Sequence, residues 1–77
     1  MNKQRRNELA EIFGAMQDLR EQLDNLTDAE QEAYDNMPGN LRDSERGEEM
    51  SDTISELNDA FNCLDNACDI LEEILSK

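Results

Sequence analysis

The chain has 77 residues, enough for one small domain. Twenty Asp and Glu stand against seven Lys and Arg, with no His, so the net charge is -13. That balance excludes a uniform basic face for nucleic acid, and the missing His excludes His bases, His–zinc sites and Ser–His or Cys–His dyads.

In chain order, the basic residues Lys3, Arg5 and Arg6 come first, and no apolar segment of signal-peptide length follows them. No later apolar run is long enough to span a bilayer, so no membrane partner is expected. Leu9, Ile12, Met16, Leu19, Leu23, Leu26, Ala33 and Met37 then recur at heptad spacing, which predicts a helix over residues 3–36. Thr27-Asp28-Ala29-Glu30 has the form of a capping box and leaves open a bend or restart there. Pro38-Gly39 breaks the pattern and predicts a turn over 37–43. Ser44 or Asp43 can cap a second helix over 44–76, with Glu45, Glu48 and Glu49 near its positive end. Its stripe is Met50, Ile54, Leu57, Phe61, Leu64, Cys68, Leu71 and Leu75. Strand alternation is absent, so the expected class is all-α, one domain over residues 1–77.

The two stripes mirror each other about residue 40: Leu9 with Leu71, Ile12 with Cys68, Met16 with Leu64, Leu19 with Phe61 and Leu26 with Ile54. An antiparallel two-helix hairpin needs equal distances from the turn, so these pairs are the expected seam layers. Gly47 would then face Ala33 and permit close helix approach. At 1.5 Å rise each arm is about 50 Å long.

The second helix carries more apolar surface than one partner covers. Ala60, Cys63, Ala67, Ile70 and Ile74 form a further stripe beside the first. A second copy would bury it, giving a homodimeric four-helix bundle; a groove for another protein and a marginal monomer are the alternatives. Cys63 and Cys68 are five positions apart on a helix and cannot bridge to one another. They read as small apolar core residues of a reducing compartment, or as a disulfide between copies; two thiols without His are poor metal ligands. No metal, cofactor or catalytic residue is expected.

The acids concentrate after Leu26: from Thr27 onward there are fifteen, against three basic residues. Glu45, Glu49, Asp52, Glu56 and Asp59 recur at steps of four and three, with Asp65, Asp69, Glu72 and Glu73 extending the row. That spacing sets carboxylates about 5–6 Å apart on one face, within a factor of two of phosphate spacing on nucleic acid. Nucleic-acid mimicry toward a basic protein is one reading; a solvated face that confers only solubility is the other. The turn is longer than a bare connection needs. Tyr34, Met37 and Leu41 are expected to fold over the bundle end, with Tyr34, Arg42 and Arg46 as alternative partner anchors at the tip.

Asn36-Met37-Pro38, Leu41 and Ser44-Glu45-Arg46-Gly47-Glu48 resemble a segment of small acidic helical proteins from phages and bacterial mobile elements. The resemblance spans about fifteen residues of the turn, and no functional residue carries over with it. It implies the cytoplasm of a bacterial or phage-infected cell and an inhibitor of a host system. The expected function is a non-enzymatic, dimeric protein-interaction module that binds and blocks a basic partner, without binding nucleic acid directly. A structural scaffold and a bundle that sequesters a small molecule are the alternatives.

Overall fold

The computed structural model describes every residue, Met1 to Lys77, and is all-helical. Helix α1 spans Lys3–Asp35, the single turn α2 spans Gly39–Arg42, and α3 spans Glu45–Leu75. The long helices pack side by side and antiparallel in a body measuring 58 × 14 × 14 Å.

Local chemistry sets the helix ends. The Asn2 side chain accepts from the Arg5 N–H at 2.8 Å and caps α1. α1 ends before Pro38; the Asn36 and Met37 N–H groups donate to the Glu32 and Tyr34 carbonyls. The Pro38 carbonyl then accepts from Leu41 and Arg42, which starts α2. Ser44, not Asp43, caps α3: its hydroxyl oxygen accepts from the Gly47 N–H at 3.4 Å, and the hydroxyl donates to the Leu41 carbonyl. Glu45 and Glu48 lie in the first turn of α3, where the helix dipole favours anions. α1 has no acid in its first turn. Its basic start serves the neighbouring helix instead, because Arg6 Nη1 donates to the Leu75 carbonyl at 2.8 Å at the negative end of α3.

The seam follows the expected stripe on α3. Gly47, Ile54 and Cys68 are buried, and Met50, Leu57, Phe61, Leu64, Leu71 and Leu75 are half-buried. On α1 only alternate layers agree. Leu9, Met16, Leu23 and Met37 are half-buried as expected, but Ile12, Leu19 and Leu26 are exposed at 53, 54 and 56 %. Their places are taken one residue along by Phe13, Arg20 and Thr27, and Tyr34 replaces the exposed Ala33. The two competing rows lie about 50° to either side of the Leu9–Met16–Leu23 row in a heptad helix. The inner choice gives Phe13 and Tyr34 cover for their rings. It also lets Arg20 reach Asp65 at 2.9 Å, the one ion pair of the molecule.

Thr27 does not break α1. Buried in the seam, it donates its hydroxyl to the Leu23 carbonyl at 2.8 Å within an unbroken helix. The reason for Gly47 also differs from the expected one. A Cβ there would come within 2.5 Å of the Arg42 carbonyl carbon and the Leu41 oxygen, and closer still to the Arg42 oxygen. The close approach is that of the α2 backbone onto α3, not of α1 through Ala33.

Candidate functional site: an apolar face beside an acidic flank

The Arg20–Asp65 ion pair divides the helix pair into two sides. Arg20 stands to one side of the Leu9–Met16–Leu23 row and the Ile12–Leu19–Leu26 row stands to the other. On α3, Asp65 lies on one flank of the seam residues, and Ala60, Ala67 and Ile74 lie on the opposite flank. Because Arg20 reaches Asp65, those two flanks share a side, and the two apolar flanks must share the other. The row of Ile12, Leu19 and Leu26 therefore lies beside the row of Ala60, Ala67 and Ile74, and together they form one continuous face. Sequence reasoning placed the α1 half of this face inside the seam and so missed it.

Of the residues expected to meet a second copy, Ala60, Cys63 and Ile70 are exposed, Ile70 at 49 %, while Ala67 and Ile74 are half-buried. Cys63 is thus a surface thiol and not a core residue, whereas Cys68 is buried at 2 % exposure; both are free. The heptad explains the difference: Cys68 falls on the seam row, and Cys63 falls two rows out, next to Ala60 and Ala67.

Glu45, Glu49, Asp52, Glu56 and Asp59 are all exposed along the turn-proximal half of α3. Glu45, Asp52 and Asp59 point directly away from α1 on the helical wheel, and Glu49 and Glu56 lie between them and the apolar face. The row Glu49, Glu56, Cys63, Ile70 therefore changes from acidic to apolar at mid-helix. The expected extension is mostly not on this row. Asp65, Asp69 and Glu72 belong to the opposite flank, and only Glu73 continues the line, since steps of six and four after Asp59 cross the helix.

At the tip, Arg42 and Arg46 are exposed and Tyr34 is half-buried in the α1 seam row. Met37 is half-buried, but Leu41 is 43 % exposed and does not close over the end as expected. The surface hollows are shallow: one is lined by Asp69, Glu72, Glu73, Ser76 and Lys77, none of them a hydrophobic residue. No three of the Cys, Asp and Glu side chains are placed to hold a metal ion together, and no helix is long and apolar enough to cross a membrane. No family model, curated protein or solved structure matches the chain.

Proposed function

We propose that the chain is a non-enzymatic binding protein. Two copies form a four-helix bundle, and its acidic flank occupies the basic groove of a protein partner and keeps nucleic acid out. The observation that carries this reading is the charge inventory of the surface: of twenty acidic side chains, only Asp65 has a cation within salt-bridge distance. A helix pair that needed its acids only for internal pairing would match them with bases. This one leaves Glu45, Glu49, Asp52, Glu56 and Asp59 in water, on one rigid helix, at regular spacing. The proposed setting is the cytoplasm of a bacterial or phage-infected cell, and the resemblance of the turn segment supports it.

The test is affinity capture on the immobilised chain, followed by titration of the purified captured protein. The comparison is with a variant carrying Gln or Asn at those five positions. If each exposed charge contributes a few tenths of a kcal/mol, neutralising five weakens binding about tenfold or more. Double-stranded DNA should compete, and rising salt should weaken the complex. The reading fails if the neutralised variant captures the same proteins with the same affinity, or if neither retains a specific partner.

A further inference from the structure

We propose that the apolar face is covered by a second copy of this chain with the two turn ends at the same pole, so that α1 of each copy lies along α3 of the other. This deepens the dimeric reading above and rests on it.

A compact chain of 8.8 kDa exposes about 4,800 Å² by the usual scaling of surface with mass. This one exposes 5711 Å². The excess, about 900 Å², comes from a body 58 Å long and only 14 Å thick, which a second copy laid alongside would thicken. α1 turns Arg20 and Thr27 inward and Ile12, Leu19 and Leu26 outward. Rotating α1 the other way would bury Ile12, Leu19 and Leu26 but expose the Phe13 and Tyr34 rings, so no rotation covers both sets within one pair. The observed rotation suits a molecule whose outward row is itself an interior.

The arrangement follows from side-chain size. Along the middle of the face, Ile12 is level with Ala67, Leu19 with Ala60, and Leu26 with Thr53, a large side chain from α1 beside a small one from α3 at each of these three levels. Rotating a second copy about the long axis sets its large residues over the small ones, and the faces interdigitate. Reversing the copy end for end sets Leu19 over Leu19 and Ala60 over Ala60, which leaves bumps against bumps and gaps against gaps. Charge favours the reversed form, because residues 20–61 carry thirteen acids and three bases, while the remainder carries seven acids and four bases. Those acids mostly point away from the face, however. Across two helix layers they are about 20 Å apart, beyond the roughly 8 Å screening length at physiological salt. Packing at contact distance decides.

Two measurements on the full chain test this. Sedimentation equilibrium should give twice 8.8 kDa for the natural chain and 8.8 kDa for Leu19→Glu, whose new charge would lie in the dry interface. A nitroxide on Asn40→Cys, with exposed Cys63→Ser to direct labelling, then reads the distance between the tips. Ends together give two to three helix spacings, roughly 20–30 Å. Ends reversed give a distance near the 58 Å length of the pair. A long distance, an undiminished dimer in Leu19→Glu, or a monomer at every concentration overturns the proposal. If Leu19→Glu unfolds, the tip distance in the chain with Leu19 intact decides alone. Salt-sensitive capture of a basic partner is read separately. A monomer that still captures one sinks the pairing and leaves the acidic-flank reading standing.

Discussion

Two glycines in this chain have opposite consequences. Gly14 sits inside α1 with nothing near the place a Cβ would take, whereas at Gly47 that place is filled by α2 carbonyls. Alanine at Gly14 removes backbone freedom from the unfolded chain without a clash and should stabilise by about 0.5–1 kcal/mol. Alanine at Gly47 gains the same propensity term, but the Leu41 and Arg42 backbone must move. Overpacking of that kind costs about 1–3 kcal/mol, so the net effect is a loss of up to about 2 kcal/mol. Thermal melts followed by circular dichroism should therefore rise for Gly14→Ala and fall for Gly47→Ala, by several degrees in a chain this short. Equal shifts would remove the case that α2 docks tightly on α3. The need for a glycine at position 47 was legible from the sequence, but its cause was not, because nothing local foretells that the turn folds back as α2.

At the scale of the element, the seam stripe of α3 was legible in full and that of α1 by half. The α3 stripe is flanked by Ser51, Asn58, Asp65 and Glu72 on one side and by Thr53, Ala60, Ala67 and Ile74 on the other, so a large apolar neighbour competes with it only at Ile74. α1 has apolar residues on three neighbouring rows, and Leu9, Met16 and Leu23 belong to either choice of seam. Contacts between distant residues separate the choices: Arg6 on the Leu75 carbonyl and Arg20 on Asp65. A hint was present in Arg6, Phe13, Arg20, Thr27 and Tyr34, which keep strict heptad spacing, but three of the five are polar and hide the row from an apolar pattern. The ion pair selects the seam more than it stabilises it. Its side chains are 28 and 48 % exposed, so Asp65→Asn should cost less than about 1 kcal/mol, a cost that disappears in high salt. Denaturant titrations at low and high salt would show it; a larger, salt-independent loss would mean that Asp65 is a structural keystone.

For the whole molecule, the class, the doubling back at Pro38-Gly39 and the acidic bias were visible in the residues, because composition and period encode them directly. The shared apolar face was not, because it depends on how α1 is rotated about its own axis. The same residues make the body electrically lopsided, with the turn-proximal part carrying most of the net -13. Repulsion among those charges opposes compaction. Raising sodium chloride from low to near-molar concentration should therefore raise the melting temperature by several degrees, and a fall would mean that attractive pairs dominate.

Arg6 holds the beginning of the chain against its end, with one guanidinium nitrogen on Leu75 and the other 3.4 Å from the Lys77 carbonyl. Anything attached to either terminus, whether an affinity handle, a fluorophore or a surface anchor, therefore stands at the same extremity. The molecule can be planted upright by either end of its chain, and the α2 tip then projects most of 58 Å outward, clear of the support.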